Sequence, residues 1–329
     1  MRAVQVAAFG GPNVLTVADV PAPKPGAGEV LVQLARAGIN FIDVYMRSGV
    51  YAKSDTYKTP LPMTIGMEGA GTVAAVGENV TNWKVGDRVA YCLVRGSYAD
   101  FAIVPAWKLV PVPDDINFDV ATALMLQGST AHYLTHSAFP LQPGQNCLVH
   151  AGAGGVGQIL IQLAKLRGAT VIATVGSEDK ARIATERGAD HCILYRTEDF
   201  RERVKEITGG KGVNVVYDSV GRDTIHASIR CVARRGLCIL YGASSGVVSS
   251  IEPIELAEAG SVFFTRPHLA DYMANADEIQ ARANDLFNAV RDKRLTVVID
   301  QVLPLEKAGK AHEVIEARET RGKLLLAMS

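Results

Sequence analysis

The rhythm of apolar and polar positions changes partway along the chain. To about residue 123, apolar runs are short and are separated by glycine, proline and polar turns. Gly28-Glu29 leads into the run Val30-Leu31-Val32-Gln33-Leu34, a second strand occupies 69–77, and Gly86-Asp87-Arg88 opens Val89-Ala90-Tyr91. Residues 97–104 and 109–113 continue the pattern, which predicts a compact, barrel-like β domain. Helical periodicity begins near Asp119 and runs through ATALMLQGSTAHYLTH, read as the bridge to a second domain. From Asn146, apolar strands at 146–151, 170–175, 191–195, 213–218, 237–241 and 261–265 alternate with segments of helical type, the fifth connection (246–260) less regularly. That alternation predicts a parallel, doubly wound six-stranded sheet. After Pro267 come a helix (277–291), a strand (297–302), a helix (305–319) and an apolar run at 323–326, expected to return to the first domain. The division predicted is 1–123 with 267–329, and 124–266.

The stretch NCLVHAGAGGVG at 146–157 organises the second half. Its apolar start reads as a strand, and Ile159, Leu160, Leu163, Ala164 and Leu166 beyond it fall on one helical face. Gly152, Gly154 and Gly157 fill the positions of G-x-G-x-x-G between them. In that context the glycines allow a sharp turn, close backbone approach to a pyrophosphate and tight helix–strand packing, with the helix N-terminus facing the anion. Ligands of such sheets lie beyond the carboxyl ends of the strands, which here are nearly all small or polar: Ala151-Gly152, Gly176-Ser177, Tyr195-Arg196, Asp218-Ser219, Gly242-Ala243-Ser244 and Thr265-Arg266.

With 329 residues there is room for two cores, and 34 basic against 34 acidic residues give no net charge. The balance argues against a general attraction to nucleic acid or anionic membrane. No apolar run approaches membrane-spanning length, and the N-terminus reads as a first strand rather than a leader. Five scattered cysteines without a C-x-x-C pair fit a reducing compartment, so a cytoplasmic location is expected.

Taken together, GINFIDVY (38–45), GMEGAG (66–71), GDRV (86–89), HAGAGGVG (150–157), VYDSVGRDT (216–224), YGASSG (241–246) and TRP (265–267) resemble the medium-chain dehydrogenase/reductase superfamily. Within it they are similar to the zinc-free, zeta-crystallin-like NADPH:quinone oxidoreductases. The resemblance covers nearly the whole chain and implies an α/β protein with a GroES-like β-barrel domain, a Rossmann domain, a cleft between them, and a homodimer formed through the Rossmann domain. Where the superfamily's zinc alcohol dehydrogenases carry a cysteine and a histidine, this chain has Asn40 and Met67, neither a normal zinc ligand. His132 and His136 stand four apart on a predicted helix, but without a third ligand a packing or capping role is favoured. No metal is expected.

NAD binders usually place an acid at the end of the second strand, about 20 residues past the fingerprint. Here that strand ends in Gly176-Ser177, and Ser177 reads as an N-cap that puts Glu178 and Asp179 in the first helical turn. Lys180 in the same turn suits a 2′-phosphate, a role the resemblance also gives it, with Tyr195 bounding the adenine and Arg196 adding charge. NADPH is therefore the expected cofactor. The other expected contacts are Asn40, Phe41 and Tyr45 near the nicotinamide, Gln127 and Thr130 after the domain crossing, and Gly152, Ala153, Gly154, Gly155, Val156 and Gly157 at the pyrophosphate. Ser219, Tyr241, Gly242, Ala243 and Ser244 would read the nicotinamide ribose and carboxamide, Phe264, Thr265 and Arg266 close the same end, and Arg318 reach a phosphate.

A quinone accepts hydride on an electron-poor ring and leaves a weakly basic oxyanion, so the reaction asks mainly for positioning and exclusion of water. Tyr45, Asn40 and Asp43 are the candidate catalytic residues, Tyr45 to bond the substrate oxygen or stack on the ring, Asn40 to orient a carbonyl. The 51–60 segment is expected to set substrate size at the cleft mouth. An enal or enone reductase is the alternative, with Tyr45 as proton donor. Relatives also suggest AU-rich RNA binding or a crystallin role, but Arg234-Arg235 and the 201–205 run, the only basic clusters, read as solvated faces.

Overall fold

A computed structural model describes residues 1–57 and 60–328. The chain divides into two compact units, Met1–Leu126 with Met273–Arg291 and Val297–Ser329, and Gln127–Tyr272 with Asp292–Thr296. The crossing falls at Leu126/Gln127, three residues beyond the expected boundary, because the helical segment that bridges the units runs on past residue 123.

In chain order the first unit opens with strands β1 (Arg2–Val6), β2 (Leu15–Asp19) and β3 (Glu29–Ile39), helix α1 (Phe41–Arg47), and strands β4 (Met63–Thr64), β5 (Glu68–Val76), β6 (Arg88–Cys92), β7 (Phe101–Pro105) and β8 (Val110–Pro111). Helix α2 (Phe118–Ala123) starts at Asn117, whose side chain accepts from Val120 N–H. It continues through a π-type turn (Leu124–Gly128), α3 (Ser129–Tyr133) and a second π-type turn (Leu134–Ala138). The second unit then alternates β9 (Asn146–Val149), α4 (Gly155–Leu166), β10 (Thr170–Val175), α5 (Glu178–Glu186), β11 (His191–Leu194), α6 (Phe200–Ile207), β12 (Val213–Asp218), α7 (Ile225–Cys231), β13 (Val232–Leu240), α8 (Pro253–Glu258) and β14 (Phe263–Thr265). The chain returns to the first unit with α9 (Ala276–Arg291), β15 (Ile299–Pro304), α10 (Ala308–Glu316) and β16 (Lys323–Ala327).

Among the described residues, the first unit holds a sheet ordered β15-β16-β3-β5-β6-β8, with β7 also on β3, and a smaller sheet β2-β1-β4. β3 buries Val30, Val32 and Leu34 in alternation, then turns wholly inward at Ala37, Gly38 and Ile39, where β16 covers its other edge in antiparallel register (Leu324 opposite Ile39, Leu325 opposite Gly38). The expected strand 97–104 shortens to Phe101–Pro105, because the backbone groups of Ser97 and Tyr98 bond Gly66, Ile65 and Val4 and only 101–105 pairs with β3.

The second unit is the parallel six-stranded sheet that the alternation predicts, in the order β11-β10-β9-β12-β13-β14. Strands β9, β10 and β12 bury every apolar side chain, as a sheet covered on both faces requires. β13 begins earlier than expected, at Val232, so Arg234 and Arg235 lie on its exposed start. The 201–205 cluster lies on α6 and is laced by ion pairs of Arg203 with Glu198 and Glu206 and of Lys205 with Glu202, a solvated face.

Candidate functional site

Between β9 and α4 the glycines are spent on close approaches. A Cβ on Gly152 would come 2.8 Å from the Ala173 methyl on β10, and one on Gly157 would come 2.3 Å from the Ala151 carbonyl oxygen. Gly154 caps α4, and Gly157 lets that helix start against the turn. Ala151 itself takes φ +54°, the sharp bend that leads out of the strand. A Cβ on Gly155 would sit 2.1 Å from Gln127 Oε1, so the Gln127 amide lies directly on the backbone at the start of α4. The first amides of α4 have no intrahelical acceptor and are held by glycines, a cradle suited to a pyrophosphate. Thr130 and Gln127 are both nearly buried on the segment that precedes this turn.

At the end of β10 the expected N-cap is present: Ser177 Oγ accepts from Lys180 N–H at 3.4 Å. Asp179 pairs with Arg182 along α5. A Cβ on Gly176 would meet the Tyr195 hydroxyl at 2.8 Å and Arg196 Nε at 3.5 Å, so tyrosine and guanidinium stand over the glycine where an NAD-type acid would otherwise project. Gly176, Ser177, Lys180, Tyr195 and Arg196 thus share one strand-end corner.

Farther along the same edge, the buried Asp218 at the end of β12 accepts from Val220 and Gly221 N–H and from the Thr224 and Ser228 hydroxyls. Ser228 gives its hydrogen to Asp218 and so accepts from His150 Nε2, leaving Nδ1 to accept from Thr174. Burial keeps His150 below its ordinary pKa, in the neutral form that this chain of bonds needs. The loops after β12 and β13 are zipped together: Tyr241 N–H bonds Asp218 O, Ser244 N–H bonds Ser219 O, and a Cβ on Gly242 would strike Ser219 O at 2.6 Å. Ser219, Tyr241, Gly242, Ala243 and Ser244 therefore form one backbone surface, and Phe264 and Thr265 continue it on β14. His132 and His136 stack face to face at 4.1 Å, and Nδ1 of His136 faces Thr135 and the His132 carbonyl of their own helix.

In the first unit, α1 begins at Asn40, whose N–H donates to Asp43 Oδ2 at 2.9 Å. The aromatic residues around α1 form a series: Phe41 to Tyr45 at 6.0 Å, Tyr45 edge-on to Tyr51 at 5.5 Å, and Tyr51 stacked on Tyr57 at 5.2 Å. Phe41, Tyr45 and Tyr51 are half-buried. Residues 58 and 59 of the expected size-determining segment lie outside the described residues. Asn40 and Asp43 are buried, and the Asn40 amide is taken up by protein partners on both atoms. They serve the interior of the unit, which leaves Tyr45 as the one of the three candidate catalytic side chains that is not buried. Arg318 is exposed just past α10 in this unit.

Two buried networks here escaped sequence reasoning. Lys323 Nζ donates to Asn40 Oδ1 at 2.8 Å and Glu68 Oε2 at 2.5 Å, and Glu68 Oε1 accepts from Leu126 N–H. Separately, Tyr98 OH donates to Asp43 Oδ2, His312 bonds Tyr98 through Nε2, and Arg47 donates to His312 Nδ1 while pairing with the solvent-facing Glu316. Burial pushes the Asp43 carboxyl up to about 7 and, with Arg47 beside it, takes His312 down to about 3. The only sequence signal was a lysine opening an otherwise apolar strand. Among the described residues no group of three or more His, Cys, Asp or Glu side chains could hold a metal ion.

Residues 26–114 match the alcohol dehydrogenase GroES-like domain, and residues 155–290 match the zinc-binding dehydrogenase domain. The chain is 43% identical to the quinone oxidoreductase of Pseudomonas aeruginosa over 99% of both chains. This chain belongs to the zinc-free quinone oxidoreductases of the medium-chain dehydrogenase/reductase superfamily. A 2-haloacrylate reductase from a Burkholderia species is 42% identical over 96% of both chains. The Escherichia coli quinone oxidoreductase, solved in complex with NADPH, superimposes with a TM-score of 0.96 at 41% identity over the full length of both chains. Membership fits the donor set. In place of the cysteine and histidine of the superfamily's zinc alcohol dehydrogenases this chain carries a buried thioether, Met67, and an amide, Asn40, whose Oδ1 accepts from the Lys323 ammonium.

Proposed function

We propose that this chain reduces quinones with NADPH by direct hydride transfer that needs no zinc. The observation that supports the reading is the corner at Gly176: β10 ends in Gly176-Ser177 without a carboxylate, Asp179 pairs with Arg182, Tyr195 and Arg196 stand over the glycine, and Ser177 caps the turn that carries Lys180, a set of groups suited to a 2′-phosphate. When bound, NADPH supplies the hydride. Gln127 and the amides of Gly155, Val156 and Gly157 hold the pyrophosphate, with Gly152, Ala153 and Gly154 shaping the turn. Ser219, Tyr241, Gly242, Ala243 and Ser244 present the backbone groups that orient the nicotinamide half, with Thr130, Phe264, Thr265 and Arg266 beside them, and Arg318 reaching a phosphate. Phe41, Tyr45 and Tyr51 offer flat faces to a planar acceptor, and the Tyr45 hydroxyl donates to the oxygen that gains charge. One hydride and one proton convert the quinone to the hydroquinone.

Oxidation of NADPH by 1,4-benzoquinone, 9,10-phenanthrenequinone and a series of 2-alkenals tests the reading. Highest kcat/KM is expected with the quinones and a preference for NADPH over NADH. Alkenals ahead of every quinone would instead favour the second reading, reduction of an activated C=C bond, which the likeness to the haloacrylate reductase supports.

The reading extends to assembly and location. β14 is the edge of the sheet and pairs only with β13 among the described strands. Phe263 on it is 65% exposed, as is Ile254 on the connection leading in. Pairing of this exposed apolar edge with the same edge of a second copy about a two-fold axis would cover Phe263. Phe263→Asp should convert a homodimer to monomers in light scattering, and an unchanged mass would overturn the assignment. Five free cysteines suit a reducing cytoplasm, and no helix among the described residues is long and apolar enough to cross a membrane.

A further inference from the structure

Lys323 is a wholly buried ammonium, separated from its partners Asn40 and Glu68 by most of the chain. Its two contacts are complementary. Asn40 Oδ1 accepts from Lys323, while Asn40 Nδ2 donates to the same Glu68 oxygen that Lys323 grips, at 2.9 Å. An amide between a cation and a carboxylate has one orientation, so the ammonium fixes which way Asn40 faces. Glu68 Oε1 is meanwhile held by Leu126 N–H at 2.5 Å, and Glu68 N–H bonds Ser97 Oγ. The cluster therefore ties together the end of β3, the start of β5, the end of the α2 segment and the start of β16.

The backbone has been cleared for this cluster. A Cβ on Gly38 would fall 1.9 Å from Glu68 Oε2 and 2.9 Å from Lys323 Cε, so the ion pair rests directly on the glycine backbone of β3. A buried ion pair is a poor way to gain stability, since apolar side chains of the same volume would fill the space as well or better. What an ion pair of this kind supplies is a unique geometry. Here the geometry belongs to Asn40, the residue from which α1 starts and after which Phe41 and Tyr45 follow within two turns.

We propose that Lys323 is a positioning residue for the reduction, the resident cation that, through Asn40 and Glu68, sets the start of α1 and so the placement of Phe41 and Tyr45. This rests on the quinone-reductase reading, in which α1 faces the acceptor. The glycine turn with Gln127 and the corner of Gly176, Ser177, Lys180, Tyr195 and Arg196 lie in the second unit and make no contact with the Lys323 cluster, so acceptor turnover and cofactor affinity should separate.

The decisive variant is Lys323→Met/Glu68→Gln, which leaves no uncompensated charge in the cluster. It is expected to melt cooperatively and to bind NADPH, followed by nicotinamide fluorescence, within about threefold of wild type, while kcat falls by ~10-fold or more, the usual consequence of misplacing a reacting partner. A wild-type kcat in the folded double variant would overturn the proposal. Lys323→Met alone leaves the Glu68 carboxylate buried and unpaired and is expected to melt well below the double variant, since breaking one half of a buried pair costs more than neutralising both. A single variant as stable as the double one would equally overturn the reading of the cluster as a paired charge. The wild-type acceptor panel stands apart from both comparisons: absence of quinone and alkenal turnover in wild type would refute the reading beneath the proposal, whereas normal wild-type turnover with an indifferent double variant refutes the role of Lys323 alone.

Discussion

Replacing His312 or Asp43 should tilt the pH dependence of unfolding in opposite directions. The two are joined through the Tyr98 hydroxyl in the core of the first unit, and both are fully buried. Asp43 is raised from 3.8 to about 7, so its protonated form adds stability that is complete below the unfolded value and is lost as pH rises through 7. His312 is lowered from 6.5 to about 3, so its neutral form adds stability that is complete above 6.5 and is lost as pH falls toward 3. Lys323 draws Asp43 down and Glu68 pushes it up, while Arg47, itself paired with Glu316, adds to the lowering of His312; burial dominates both and sets these signs. At about 1.36 kcal/mol per pH unit, each group alone contributes about 3 kcal/mol of change between about pH 4.5 and about pH 7.5, with opposite sign. In wild type they nearly cancel. The assay is urea unfolding followed by tryptophan fluorescence, because both tryptophans, Trp83 and Trp107, lie in the first unit and report on it alone. Relative to wild type, His312→Gln should gain about 3 kcal/mol on going from pH 7.5 to pH 4.5, and Asp43→Asn should lose about as much. Two flat difference curves, or two of the same slope, would refute the reasoning.

The cofactor and acceptor contacts make sharper demands on binding. Gly157→Ala places a methyl 2.3 Å from the Ala151 oxygen and 2.9 Å from Gly152 Cα, backbone atoms that cannot step aside, so NADPH dissociation measured by fluorescence should rise at least ~10-fold. If Lys180 meets the 2′-phosphate as proposed, Lys180→Ala should raise the KM for NADPH by ~10-fold while leaving that for NADH unchanged; equal effects on both cofactors would remove Lys180 from the role. Tyr45→Phe should lower kcat more with a 2-alkenal than with 1,4-benzoquinone, because the carbanion-like product needs a donor more than a weakly basic hydroquinone anion does; identical losses would deny the hydroxyl its part in proton delivery.

What the sequence made legible is what depends on neighbours a few residues away. Gly152, Gly154 and Gly157 were readable because strand, turn and helix lie within a dozen residues, and the N-cap at Ser177 and the missing acid after β10 were readable on the same scale. Errors begin where a long-range partner overrides local pattern. β3 runs on past Leu34 through Ala-Arg-Ala-Gly to Ile39 because β16, from the far end of the chain, supplies its second edge. Asn40 shows the same limit at the site. Taken locally it is a polar residue at a helix start, free to meet a substrate, and only the arrival of Lys323, 283 residues later, turns its amide inward. Lys323 in turn looks like a solvated flank to Leu324-Leu325-Leu326 until Gly38 is seen to leave room beneath it. The signature of the family lies in local glycine spacing, whereas the charged cluster beneath the start of α1 is assembled from the two ends of the chain. A substitution at Lys323 would leave every recognisable motif intact while removing the charge that orients the first of them.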